Sequence, residues 1–332
     1  MLEPWTRRCL SGPLRTDPHT APSLRGTQGD RGRDLTHAHD HRVLAAQLAG
    51  ISSARLRAVY LAACRAEVVA PKPGNVSVAS PGHDMSATDF LRSARVSAPH
   101  LCPDSEGRLG DRVLGAVEAT RASVGCNTNL GIVLLAAPLL MAARTAGDRR
   151  PLANRVARVL EGLDERDTTQ VFAAIRLASP AGLGGSPRFD VRQPPPDTDL
   201  RAVMASAAGR DRIARQYATG FVDIFDDGRA LASDWRARIS NPNWQIVALY
   251  LGLLSRFPDT HIARKHGEPL ATDVSRQARN LYRMLEHRGM GPRLMQRLSD
   301  FDAALKARGI NPGTTADLTV ATLIVQSLEA PA

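Results

Sequence analysis

Lysine is nearly absent from this chain: of the 43 Lys and Arg residues in 332, only Lys72, Lys265 and Lys306 are lysine. A sequence so averse to lysine keeps one where a compact ammonium is wanted in place of a planar guanidinium. Aromatic residues make up only 4%, and the net charge of +10 is spread along the chain among neighbouring carboxylates. A nucleic-acid partner is therefore not expected, because its footprint should be a concentrated basic face with stacking aromatics. Cysteine is limited to Cys9, Cys64, Cys102 and Cys126, with no C-x-x-C pair. That argues against a zinc ribbon or a disulfide scaffold and suits a reducing compartment. The longest nearly uninterrupted apolar run, residues 131–143, falls short of the roughly 18 to 20 residues that cross a bilayer. No membrane association is expected, and the cytoplasm is the expected location.

Alternating strands and internal repeats are also missing. Residues 1–42 are rich in Pro, Gly, Arg, Thr and His without periodic apolar positions, which predicts a disordered tail. From residue 43 to about 330 the pattern is helical almost throughout. Leu56, Val59, Tyr60, Ala63 and Glu67 recur at three- and four-residue steps until Pro71 stops the helix. Further helices are predicted over about 84–96, 110–123, 128–143 (with Pro138 as a kink), from Asp167 through Val171, Ala174 and Ile175, and over about 199–225, 229–239, 244–257, 273–288, 292–308 and 315–328. Asp167 with Gln170 has the form of a capping box, and residues 179–197 are Pro/Gly-rich and predict a loop. The expectation is one all-α, single compact multi-helix bundle behind the tail.

Chemistry in such a bundle sits at polar turns between apolar helices. The first is Glu67-x-x-x-Pro71-Lys72-Pro73-Gly74-Asn75, followed by His83-Asp84-Met85. Two prolines stiffen the turn and Gly74 permits close backbone approach. Lys72 could meet a phosphate there, and Glu67 or Asp84 could hold Mg²⁺ or act as a base; a rigid surface turn with a solvated lysine is the plainer alternative. The second is Gly125-Cys126-Asn127-Thr128-Asn129-Leu130-Gly131, a helix start whose free N–H groups can bind an anion. Asn127 or Thr128 is at least an N-cap, and Glu118 upstream could point into the same space. The third combines Asp259-Thr260-His261-Ile262-Ala263-Arg264-Lys265-His266-Gly267 with Asn311-Pro312-Gly313-Thr314-Thr315-Ala316-Asp317-Leu318; each turn supplies a carboxylate and backbone donors.

Taken in order, these motifs, with Phe90, Ser93, Tyr217, Gly220 and Phe221 between them, resemble the triphosphoribosyl-dephospho-CoA synthase family over about residues 54–325. The resemblance implies an all-helical enzyme that takes ATP and dephospho-CoA, releases adenine, and joins the triphosphoribosyl group to the 2′-hydroxyl of the acceptor. It implies Glu67, Asp84 and Glu118 as catalytic carboxylates and, with Asp259, as ligands of Mg²⁺. It also implies nucleotide contacts from Lys72, Gly74, Asn75, Asn127, Thr128, Asn129, Gly131, Arg264, Lys265 and Gly313. Family members that make the citrate lyase prosthetic group read N-T-H-K-G where this chain reads Asn127-Thr128-Asn129-Leu130-Gly131, and His261 replaces an Asn. That form is closer to relatives found with methanopterin-linked one-carbon genes, and it puts the acceptor in question more than the ATP-type donor. An N-ribosyl hydrolase and a non-catalytic helical nucleotide-binding protein are the competing readings.

Overall fold

A helix that is apolar on every side has no solvent face and must be surrounded by others. The segment Leu130–Arg144 is such a helix, and other helices of the described residues pack around it. The computed structural model describes residues 51–330 apart from 146, 181, 183, 184 and 187. The tail expected over residues 1–42 lies outside the described residues. In chain order the helices are α1 (Ser53–Val69), α2 (Ala87–Leu101), α3 (Leu109–Val124), α4 (Leu130–Arg144), α5 (Leu152–Glu161), α6 (Glu165–Ala178), α7 (Leu200–Ala207) and α8 (Arg212–Thr219). A π-helical turn (Asp223–Gly228) leads to α9 (Arg229–Arg238), α10 (Pro242–Arg256), α11 (Thr260–His266), α12 (Glu268–Arg288), α13 (Pro292–Ala307) and α14 (Gly313–Glu329). Among the described residues there is no strand, only the isolated bridges Ser77–Ser80 and Gly82–Met85. The protein is all-α.

Helix α4 packs against α1, α2, α3, α5, α8 and α14. Leu135, Leu139 and Leu140 on it are fully buried, each contributing on the order of 1.5 to 3 kcal/mol of transfer free energy. The helix runs on through Pro138. A second apolar cluster is built by α10, α12 and α13 around Tyr250, Leu254 and Leu285, and α14 joins the two. No helix among the described residues is long and apolar enough to cross a membrane.

Several local expectations shift. The capping box lies at Asp164 and Asp167 rather than at Asp167 and Gln170. Arg108 pairs with both aspartates, and Asp167 Oδ1 accepts from the N–H of Gly110 (2.8 Å), so tertiary partners fix the helix start three residues earlier. The helix expected over 199–225 divides into α7, α8 and the π-helical turn, with Gly220 in the left-handed region ending α8. The short helices α5 and α11 fall outside the predicted set.

Candidate active site

Where α1 ends, Ala70 turns extended and the Pro71–Asn75 connection begins. Inside that turn the Lys72 ammonium faces inward. Nζ donates to the carbonyls of Glu67 (2.5 Å), Ala70 (3.2 Å) and Val76 (3.4 Å), and pairs with Glu67 Oε1 at 3.0 Å. The last carbonyls of a helix lack intrahelical partners and carry partial negative charge, so a cation there caps and neutralises at once. The expected phosphate contact of Lys72 is thereby corrected: its side chain has no exposed surface and is spent on closing α1. Burial pushes the Glu67 carboxyl up and the Lys72 ammonium down, and each partner opposes the other's shift.

Gly74 has φ +77°, and a Cβ there would lie 2.6 Å from Leu305 Cδ1 and 2.9 Å from Pro312 Cδ. Its N–H donates to Asp302 Oδ1 at 2.8 Å. The close approach expected of Gly74 is therefore made to α13 and Pro312, not to a ligand. Lys306, on α13, donates to the Ser80 carbonyl (2.8 Å) and pairs with Asp302 at 3.0 Å, which braces the following loop. Asn75 Nδ2 donates to Asn311 Oδ1 at 2.9 Å, joining this turn to the approach of α14.

These turns form one wall of a cavity of about 830 Å³. Glu67, Asn75, His83, Asn127, Thr128, Asn129 and Gly131 line it, as do His261, Arg264, Lys265, Gly313 and Asp317. Leu130, Phe172, Ile175 and Met204 supply its apolar side, with Ser179, Pro180, Gly182, Phe189 and Val191 alongside. At the start of α4, Asn127 Oδ1 accepts from the Leu130 N–H (3.1 Å). Thr128 Oγ1 donates to Ser93 Oγ (2.5 Å), and Asn129 Nδ2 reaches Ser97 Oγ (3.4 Å). The N-T-N segment is thus pinned to a serine ladder on α2, with Leu130 and Gly131 on the cavity wall.

The carboxylates divide differently from expectation. Asp84 and Glu118 are exposed and lie outside the cavity lining. Glu118 falls beside the buried stripe Val113, Ala116, Val117 and Thr120 of α3, one residue too far round the helix. Asp259 is buried, but both its oxygens are taken. Oδ1 accepts from the N–H groups of His261 (2.9 Å) and Ile262 (3.1 Å), while Oδ2 accepts from Thr315 N (2.7 Å) and Oγ1 (2.8 Å). It clasps the starts of α11 and α14 and is not placed as a metal ligand. Among the described residues no group of three or more His, Cys, Asp or Glu side chains is poised to hold a metal ion.

Asp317, the carboxylate of the Asn311–Leu318 turn that the sequence leaves out of the catalytic and metal sets, lines the cavity with Glu67; Asp190, Asp211 and Glu268 line it as well. The signal for Asp317 was there: it is the only acid in α14 before Glu329, set among Ala316, Leu318 and Val320. Burial pushes its pKa well above the usual range, and the charges of Asp259, Glu67 and Asp211 push the same way against Arg264. Arg264 pairs with Asp211 at 3.1 Å and donates to His261 Nδ1 (3.3 Å). The His261 ring is held to about 4 by burial and then by the charges of Arg264, Lys265, His83 and His266, so it is neutral at physiological pH.

A family model described as ATP:dephospho-CoA triphosphoribosyl transferase matches residues 53–332. A crystal structure from Archaeoglobus fulgidus, provisionally assigned as a triphosphoribosyl-dephospho-CoA synthase, is similar at 26% identity with a TM-score of 0.54, over 71% of this chain and 97% of that one. No curated protein matches the chain.

Proposed function

Because the chain belongs to the ATP:dephospho-CoA triphosphoribosyl transferase family and is a transferase, we propose that it displaces adenine from ATP at C1′ and joins the triphosphoribosyl group to a hydroxyl of dephospho-CoA or a less charged relative. The observation that carries this reading is the pairing of two inward carboxylates, Glu67 and Asp317, in one cavity with Lys265, Arg264 and the start of α4. Substitution at an anomeric carbon passes through an oxocarbenium-like state that nearby carboxylates stabilise. The retained triphosphate needs cations and backbone donors.

Mg²⁺ with ATP suits these residues. Magnesium is bound through one or two carboxylates plus phosphate oxygens rather than by a full protein cage. Glu67 and Asp317 are hard oxygen donors, and Glu67 raises the proton affinity of Asp317, the response of a carboxylate short of positive charge. These two would hold the ion, which would supply charge neutralisation of the triphosphate. Lys265, Arg264 and the Gly131 backbone would meet the phosphate oxygens.

Leu130 bears on the acceptor. It lines the cavity with an apolar side chain, and Arg264, elsewhere on the same wall, is engaged by Asp211 and His261. An acceptor with less negative charge than dephospho-CoA fits that wall better. The test is chromatographic detection of adenine from purified protein with ATP and Mg²⁺, with and without dephospho-CoA. Acceptor-dependent release supports transfer, release with water alone identifies an N-ribosyl hydrolase, and no release under any condition overturns the reading.

A further inference from the structure

Two imidazoles line the cavity, and each has its proton placed by a partner with a single hydrogen-bonding role. His83 Nε2 lies 2.8 Å from the carbonyl oxygen of Gly74. A carbonyl only accepts, so Nε2 carries the hydrogen and Nδ1 of the neutral ring is a bare lone pair. His261 Nδ1 lies 3.3 Å from Nη2 of Arg264. A guanidinium only donates, so here Nδ1 accepts and Nε2 carries the hydrogen. The tautomer is the same, but the two rings offer opposite edges. His83 Nδ1 and His261 Nε2 have no hydrogen-bond partner among the described residues, and both rings belong to the cavity wall.

The backbone singles out His83 a second time. His83 and Asp84 both sit at φ +59°, a region that residues with side chains seldom occupy and that persists only where the surroundings enforce it. They are enforced here by the Gly82–Met85 bridge and by Ser80, which is tied to Asp302 and Lys306. The strained turn is what brings the ring to Gly74. Of the acids offered as bases by sequence, Asp84 and Glu118 lie outside the lining, and Glu67, paired with Lys72, is assigned with Asp317 to the cation.

We propose that His83 is the general base of the transfer, taking the acceptor hydroxyl proton at Nδ1, and that His261 donates from Nε2 to a substrate oxygen as an uncharged partner. This rests on the transfer reading above. In the step, the acceptor O–H proton passes to His83 Nδ1 as the oxygen bonds to C1′. The C1′–N9 bond breaks with its electron pair on adenine, and the imidazolium then gives up the proton that the departing adenine takes, so none is gained or lost overall. The low proton affinity of His261 keeps that ring neutral, so it can orient an oxygen without competing for the proton.

The experiment joins nitrogen NMR of ¹⁵N-histidine-labelled protein with adenine release. Both rings should show the Nε2–H form in the free protein, with signals assigned by loss in His83→Gln and His261→Gln. His83→Gln keeps an amide donor for Gly74 but lacks the basic nitrogen. It should lower adenine release about 10² to 10⁴-fold while ATP affinity stays within about twofold. His83→Ala should regain part of its activity with added imidazole. His261→Ala should lose about three- to tenfold, and His261→Gln less. An Nδ1–H form at His83, or full activity in His83→Gln, overturns the base role alone. A wild-type protein that releases no adenine overturns the transfer reading and the base role with it.

Discussion

The Asp317 carboxylate rests directly on Gly131: a methyl group on that glycine would lie far inside van der Waals contact distance of Oδ2 and 2.6 Å from Ile213 Cδ1. Because Gly131 has no side chain, the Asp317 side chain of α14 fits against the first turn of α4, which places a carboxylate beside a helix N-terminus. Gly131→Ala should displace Asp317, because side chains yield more readily than packed backbone. The expected cost in stability is about 1 to 3 kcal/mol by denaturant titration, with a much larger relative loss of adenine release.

Lys72→Met should destabilise the fold by about 3 to 5 kcal/mol, since it leaves Glu67 buried without its partner. The loss should shrink as pH falls. Burial raises the Glu67 pKa, and without the opposing ammonium the folded value rises further above the unfolded one. A raised carboxyl contributes its full share of stability below the unfolded pKa and loses it as pH climbs. Thermal midpoints of wild type and variant should therefore converge between pH 8 and pH 5. Parallel curves would contradict the buried pairing.

Asp317, whose carboxyl burial pushes up, should hold its proton more tightly in the ligand-free protein than with a divalent cation beside it. Calorimetry of Mg²⁺–ATP binding in buffers of different ionisation enthalpy should show proton release, absent in Asp317→Asn. The same variant should be more stable than wild type at alkaline pH without ligand, because a raised acid costs stability as pH rises through its folded pKa.

Asp259→Ala should lower the thermal midpoint equally with and without Mg²⁺, because the side chain clasps α11 to α14 through four hydrogen bonds. A variant that folds as wild type but no longer responds to Mg²⁺ would return Asp259 to the metal.

Leu130→Lys should raise dephospho-CoA-dependent adenine release if the natural acceptor carries less charge. Pairing it with Asn129→His should blunt the gain, since Asn129 is 4% exposed and reaches Ser97. Strong wild-type activity with dephospho-CoA would instead point to Lys265 and Arg264 as the replacing cations.

Periodicity sufficed for the long helices. Leu56 to Glu67 marks α1, and the apolar run before residue 143 marks the central α4, because burial on all sides leaves a compositional trace. Short α5, of under three turns, and α11, of under two, give too few positions for a period to stand out. The polar turns picked out along the sequence meet at one cavity, since turns between apolar helices are where inward polar groups can be supplied. Which carboxylate faces inward was less legible: Glu118 misses the buried stripe of α3 by one residue, and Asp259 is claimed by donors from an element 56 residues away. Lys72 misled for the same reason, since only the folded turn shows that its nearest anionic groups belong to α1 itself.

The three lysines differ sharply in reach. Lys72 has 0% side-chain exposure and Lys306 13%, in an ion pair, whereas Lys265 is exposed at the cavity. An amine-directed acylating reagent, beyond any reaction at the α-amino group, should therefore label the folded protein at one position, readable by intact mass and peptide mapping. That position is a ready-made reporter of occupancy: ATP should slow its labelling, and a fluorophore attached there would sense nucleotide without any engineered cysteine.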